Sequence, residues 1–372
     1  MPISQYDRLF AHIGSITGLL SAKQVEALFS TVETGEARDM ATAASRRGFL
    51  PADVAAAVAI LASELAARRI AENIEPDTIV SSGKSGEASK PDTQIYPSAL
   101  GRYHKLRQIA RGAMGIIFRG EKRDDGQVVA LKVLPLQSVS DPQDIERFKR
   151  EIETITSLVH PNIVRVFDFG QEEDFYYYVM EFLDGRSLRE LIYDRGHLSP
   201  FHAAEIIRDA ARGVAFAHQH GVIHRDLKPS NIMIVKQGLV KIVDFGLAFH
   251  KTSQILTATG ISLGTPAYMS PEQIEGDRAD VNERSDIYSL GVSLYEGATG
   301  QRPFEGENQY DVMKRVLFDQ PRPAHAVNPS VPEDLGRIIA RAMARNPGDR
   351  YARAGDMITD LDAFIEGTGS ST

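Results

Sequence analysis

The chain reads as an α+β protein, with a small sheet-rich lobe, then a larger helical lobe, and a small all-α segment in front of both. Three observations predict this. An Ala-rich zone up to about residue 75 carries apolar residues at helical spacing. Short β-rich runs follow, at Ile116–Phe118, Val128–Leu134 and Tyr176–Phe182. Long helical patterns such as Phe201–His218 come last, and strands that precede helices, rather than alternate with them, indicate an α+β arrangement.

In chain order, residues 1–75 are expected to form a helical N-terminal domain. Val25, Leu28, Phe29 and Val32 share one helical face, and Val54, Val58, Leu61 and Leu65 another. Gly18-Leu-Leu-Ser-Ala and Gly48-Phe-Leu-Pro-Ala look alike, each placing a glycine and two apolar residues before a helix start, with Ser21 as N-cap and Pro51 in the first turn. A two-fold helical repeat and two ordinary helix starts both fit this pattern. Residues 76–100 are rich in Pro, Ser, Gly and Thr and read as a flexible linker. The main domain is expected over 101–367 and a disordered tail over 368–372.

Composition narrows the function. At 372 residues the chain is long for one domain, and 42% hydrophobic with 25% charged residues is a globular balance. A net charge of −8 argues against nucleic acid as the main partner. The absence of cysteine excludes disulfides, thiolate metal sites and cysteine nucleophiles. The first residues lack a basic stretch followed by an apolar run. The most apolar stretch, Val54–Ala67, is broken by Ser63 and Glu64 and falls short of the ~20 residues a span requires. A cytoplasmic protein without a membrane span is the expectation.

The chemistry is concentrated in a few segments. Gly112 and Gly115 lie between two expected strands, which suits a hairpin whose backbone approaches phosphates, though alone they read more simply as a plain glycine-containing hairpin. Val129-Ala-Leu-Lys132 places a lysine within an apolar strand, where it needs an anionic partner unless it points to solvent. Glu151 follows on a helix whose apolar face is Ile145, Phe148, Ile152 and Ile155. The densest signal is His224-Arg225-Asp226-Leu-Lys228-Pro-Ser-Asn231, a polar cluster between two apolar runs. Such a cluster is costly to bury, so a core-only explanation is poor. Asp244-Phe-Gly246 and Gly264-Thr-Pro-Ala-Tyr-Met-Ser-Pro-Glu272 follow.

From about Tyr103 to Phe364 these motifs resemble the protein-kinase family, specifically the bacterial Hanks-type serine/threonine kinases. The resemblance implies the two-lobed protein-kinase fold and transfer of the ATP γ-phosphate to Ser or Thr hydroxyls of proteins, with ATP and Mg²⁺ as cofactors and Mn²⁺ as a substitute. It implies that Gly112 and Gly115 cover the phosphates, that Lys132 holds them, and that Glu151 pairs with Lys132. Ile117, Ala130, Met180, Glu181, Leu183 and Met233 would surround the nucleotide, with Met180 as gatekeeper and Glu181 to Leu183 as the adenine hinge. Asp226 would be the base, Lys228 the lysine near the γ-phosphate that marks serine/threonine specificity, and Asn231 and Asp244 the metal ligands. Asp286 would brace the catalytic loop, and Glu272 and Arg350 would form a structural ion pair.

Ala110 stands where the family has the first glycine of the loop, and Ser270 where it has alanine. Ser230 occupies a place where basic-directed kinases often carry glutamate, which argues against an arginine-directed specificity. Thr257 and Thr259 stand at the spacing used for autophosphorylation, and the resemblance implies that Arg225 pairs with that phosphate. Thr265 would contact Asp226 and Lys228. The N-terminal zone is expected to regulate the enzyme or dock a protein partner, and dimerisation through the kinase domain fits the same picture. The alternatives are a pseudokinase or scaffold acting through nucleotide and partner binding, and a small-molecule kinase. Retention of Lys132, Asp226, Asn231 and Asp244 opposes the pseudokinase, deletion of residues 1–95 would separate scaffolding from catalysis, and the long segment from Asp244 to Glu272 opposes the small-molecule kinase.

Overall fold

The computed structural model describes residues 10–11, 20, 22–33, 37, 39–50, 55, 58–59, 99–112, 115–135, 152–172, 175–236, 238–245, 266–275 and 281–369. In the N-terminal zone α1 spans Ala22–Glu33 and α2 spans Met40–Arg46. Leu28 and Val32, one turn apart, are buried, with Val25 and Phe29 half-buried beside them. Asp39 caps α2 by accepting a hydrogen bond from Thr42 N at 2.8 Å. Gly48 stops it. With φ at 67° it is left-handed, Gly48 N donates to Ser45 O, and Phe49 N donates to Ala44 O at 2.9 Å. This pair of bonds is a Schellman ending. Gly48 therefore closes the helix before it; Gly18, Ser21 and Pro51 lie outside the described residues.

The first lobe is a five-stranded antiparallel sheet in the order β1-β2-β3-β5-β4. Its strands are β1 Tyr103–Gly112, β2 Gly115–Lys122, β3 Val128–Pro135, β4 Val166–Glu172 and β5 Phe175–Glu181. Because side chains alternate across a strand, β5 serves two cores. Phe175, Tyr177 and Val179 join Val129, Leu131 and Val133 on one face, and Tyr176, Tyr178 and Met180 join the large core on the other. Both faces are covered, which explains an unbroken apolar and aromatic run where a half-exposed strand would alternate. Residues 152–157 are helical (α3), with Ile152 and Ile155 buried.

The second lobe is built on α5 (Pro200–Gln219) and α7 (Glu283–Thr299), which pack on each other, after the short α4 (Leu188–Arg195). Ser199 caps α5, with Pro200 in its first turn. Helix α7 is buried nearly all round, from Ser285 to Tyr295, as the central helix of a lobe must be. Around it lie α6 (Pro271–Glu275), α8 (Gln309–Phe318), α9 (Ala324–Val327), α10 (Glu333–Ala342) and α11 (Ala354–Gly369). A three-stranded sheet, β6 Gly185–Ser187, β7 Ile232–Val235 and β8 Val240–Ile242, stands where the lobes meet. No helix among the described residues is long and apolar enough to cross a membrane.

Candidate active site

The polar loop from His224 to Asn231 joins α5 to β7, and its shape is imposed from below by Asp286. This carboxylate is 1% exposed. Its Oδ2 accepts His224 N at 2.8 Å and lies 2.8 Å from His218 Nε2, and its Oδ1 accepts Arg225 N at 2.9 Å. Burial alone would raise its pKa, but the hydrogen bond and charge of His218, with help from His224, hold it below the ordinary carboxylate range. Arg225 has φ 64°, a conformation a bulky residue adopts only when its surroundings over-determine it. Here its N–H is fixed by Asp286 and its carbonyl by Gln273 Nε2 at 2.8 Å.

His224 links this loop to the segment after β8. Its Nδ1 accepts Asp226 N at 3.2 Å, which leaves Nε2–H to donate to Val243 O at 3.0 Å. Its ring lies against Phe245, centroids 4.7 Å apart. Asn231 Nδ2 donates to Asp226 O at 2.8 Å, and Val243 N donates to Asn231 O at 3.0 Å. Asp226 faces Lys228, whose Nζ lies 3.0 and 2.8 Å from the two carboxylate oxygens. Asp226, Lys228 and Asn231 thus converge on one short loop.

Lys132 supplies the second cluster. It is 8% exposed and reaches across the cleft to Asp244 Oδ1 at 2.8 Å. Tyr178 donates to the same oxygen at 2.9 Å. Burial would raise the Asp244 pKa, yet the charge and hydrogen bond of Lys132, with that of Tyr178, overcome this and bring it to about 2. Burial and the neighbouring carboxylate push the Tyr178 phenol well up, so it stays protonated and can donate. Asp244 also takes a left-handed φ, 63°.

The remaining expected residues line up by strand register. Gly112 pairs with Gly115 at the mouth of the β1–β2 hairpin. Gly115 has φ 146°, and a Cβ there would stand 2.2 Å from Val133 O, so only glycine fits. Ala110 pairs with Ile117, Ile117 with Lys132, and Lys132 with Tyr178, a row across four strands. Ala110 is thus an ordinary strand residue, consistent with its departure from glycine. Ala130 stands opposite Met180, both buried. Glu181 binds Lys241 Nζ at 2.6 Å and Arg165 N at 2.7 Å, Leu183 is half-buried, and Met233 pairs with Lys241. Glu151, Gly246, Thr257, Thr259 and Thr265 lie outside the described residues. The sequence reading missed His218, Gln273 and Tyr178. Of these, Tyr178 left a partial signal, since it stands two residues before Met180 and so on the same face of β5, but only the strand register joins it to Lys132.

Glu272 and Arg350, 78 positions apart, form a bidentate pair at 2.7 and 2.8 Å. Among the described residues no group of three or more His, Asp or Glu side chains could hold a metal ion.

With this geometry the comparisons agree. The family model described as the protein kinase domain matches residues 103–359. The serine/threonine-protein kinase PrkC of Bacillus subtilis is 41% identical over 266 residues, covering 72% of this chain and 41% of its own length. PknL of Mycobacterium bovis is 40% identical over 266 residues, covering 71% of this chain and 66% of its own. PknB of Mycolicibacterium smegmatis is 42% identical over 245 residues, covering 64% and 39% respectively. The chain therefore spans between about two fifths and two thirds of the relatives it matches. Among solved structures, the kinase domain of Mycobacterium tuberculosis PknI superposes with a TM-score of 0.58 at 25% identity, over 72% of this chain and 99% of that one. A braced polar loop, a strand lysine turned to a carboxylate across the cleft and a match over most of the length lead to one assignment: this chain belongs to the protein kinase family, in its bacterial Hanks-type branch.

Proposed function

We propose that the chain transfers the γ-phosphate of ATP to serine and threonine hydroxyls of proteins. The observation that supports this most is the convergence of Asp226, Lys228 and Asn231 on one braced loop, with Lys132 and Asp244 in the cleft. The donor set fits magnesium: an amide oxygen on Asn231 and a carboxylate on Asp244 are hard oxygen ligands. A two-ligand protein site suits an ion that keeps waters and binds substrate phosphates. Bound Mg²⁺–ATP would supply the phosphoryl group and neutralise its charge. Asp226 then orients the substrate hydroxyl and accepts its proton, and Lys228 stabilises the negative charge that spreads over the transferred group. Lys132 holds the nucleotide phosphates, and Met180 with the hinge from Glu181 to Leu183 seats the base.

Regulation follows the same logic. Phosphate on Thr257 or Thr259 would pair with Arg225 and order the segment before Glu272 through ~1–3 charge-assisted hydrogen bonds. Incubation of the full chain with ATP and Mg²⁺, with an Asp226→Asn control, followed by phosphosite mapping, tests both parts. Phosphate on Thr257 or Thr259 in the wild type only is expected, and replacing both by Ala should lower the turnover number about ten-fold. No phosphate on the chain or on a generic protein substrate, despite nucleotide binding, sinks the reading.

The domain organisation belongs to the same proposal: a helical regulatory or docking module over 1–75, a linker over 76–100 and a catalytic domain over 101–367. Deleting residues 1–95 should leave phosphoryl transfer intact while removing partner capture or altering its control. Loss of catalysis with intact folding would make the N-terminal zone part of the enzyme proper.

A further inference from the structure

Tyr178 lies on neither of the segments that carry the catalytic side chains, yet it touches one of them. Its hydroxyl donates to Asp244 Oδ1 at 2.9 Å, the oxygen that Lys132 Nζ reaches at 2.8 Å. The contact is built into the sheet. Lys132 and Tyr178 are direct cross-strand partners of β3 and β5, so their side chains leave the same face and arrive at the same carboxylate. Tyr178 is 3% exposed, and a phenol that deep needs a hydrogen-bond partner; among the described residues Asp244 is the one it has.

Asp244 needs holding. Its backbone stands at φ 63°, and its neighbour Phe245 is buried against His224, so the carboxylate projects from a constrained turn. Two donors on Oδ1 fix its rotation, and among the described residues neither of them occupies Oδ2, the oxygen that would face a cation. The two donors are not equivalent. On the function proposed above Lys132 turns to the nucleotide phosphates, which leaves the hydroxyl of Tyr178 as the donor on Oδ1.

We infer that Tyr178 is a positioning residue for Asp244, holding its carboxylate in the orientation that receives the metal ion while Lys132 serves the nucleotide. This rests on the reading of Asp244 as a magnesium ligand. Partners behind a ligating group typically change metal affinity 10–100-fold when removed. The phenyl ring of Tyr178→Phe keeps the packing and removes only the donor.

The test uses Mn²⁺ as a paramagnetic probe, titrated into the full chain saturated with adenylyl-imidodiphosphate while free Mn²⁺ is read by electron paramagnetic resonance. Wild type, Tyr178→Phe and Asp244→Ala are compared. Affinity for the nucleotide analogue in EDTA and the thermal midpoint are measured alongside. The expected result is about ten-fold weaker Mn²⁺ binding in Tyr178→Phe, with analogue affinity in EDTA within about two-fold of wild type. Asp244→Ala should weaken Mn²⁺ further. Unchanged or tighter Mn²⁺ binding in Tyr178→Phe, against a clear loss in Asp244→Ala, overturns the inference and reduces Tyr178 to packing. Wild-type Mn²⁺ affinity in Asp244→Ala overturns the ligand reading itself, and the inference with it.

Discussion

Asp226→Asn is expected to lower the turnover number by about 10²–10⁴-fold, the range over which a positioned general base contributes, while nucleotide binding stays within about three-fold of wild type. The separation follows from what holds the loop in place. Asn231 Nδ2 bonds the backbone oxygen of Asp226 at 2.8 Å and its carboxylate only at 3.4 Å. The N–H of Asp226 is taken by His224, and the turn before it is pinned by Asp286. Of these contacts only the long one at 3.4 Å uses the carboxylate, so an amide of the same shape keeps the frame. What is lost is the proton acceptor and the ion pair with Lys228. Steady-state kinetics on a serine- and threonine-containing protein such as casein, with calorimetric titration of ADP, measures both quantities. A turnover number within ten-fold of wild type would remove Asp226 from the role of base. A parallel collapse of ADP affinity would mean that the carboxylate is structural.

Much of this site was legible in the chain because polar residues in apolar surroundings leave a sharp local trace. The run from His224 to Asn231 interrupts two apolar segments, and Lys132 interrupts a third. The elements around them were also readable to within a residue or two: Val128–Leu134 is observed as Val128–Pro135, and Phe201–His218 as Pro200–Gln219. Tyr178 was hard to read for the opposite reason. In Phe175-Tyr-Tyr-Tyr-Val-Met it is one aromatic among several, and the alternation that assigns Tyr177 to the outer core and Tyr178 to the cleft depends on register with a distant strand. His218 and Gln273 were missed likewise. Each is an ordinary polar residue on a helix until Asp286 or Arg225 O is brought beside it. That Gly48 also ends the helix before it is not announced locally, because a glycine followed by apolar residues marks a helix end as readily as the approach to a new one.

Arg350→Met is expected to cost more stability than Glu272→Leu, although each removes one half of the same ion pair. The pair is buried, with side-chain exposures of 0% for Arg350 and 5% for Glu272. Removing one partner from such a pair typically costs about 3–5 kcal/mol, a large share of the ~5–15 kcal/mol that holds a protein folded. The asymmetry comes from the other contacts. Arg350 also donates to the carbonyls of Ala344, Arg284 and Arg345 at 2.7, 3.0 and 2.9 Å, so the guanidinium keeps three acceptors when Glu272 is gone. Glu272 without Arg350 keeps the hydroxyl of Ser285 at 2.7 Å and its own backbone N–H, two neutral donors in place of a cation, and the three carbonyls lose their donor as well. The double variant should be less destabilised than the sum of the singles, because neither charge is then stranded, but it should not recover wild-type stability. Burial pushes the Glu272 carboxyl up, while the hydrogen bonds and charge of Arg350 and the hydroxyl of Ser285 more than offset this and depress its pKa in the folded state. Its contribution is therefore present above the unfolded carboxylate value, about 4.3, and is lost as pH falls through the lower folded value. In urea unfolding, Glu272→Leu should show a shallower loss of stability on acidification than wild type. Activity should fall with stability in Arg350→Met, since Gln273, beside Glu272 on α6, holds the carbonyl of Arg225 and with it the turn that presents Asp226. An Arg350→Met enzyme that unfolds at the wild-type urea concentration would show that the pair carries no net stability and leave its conformational role to be sought in the catalytic loop alone.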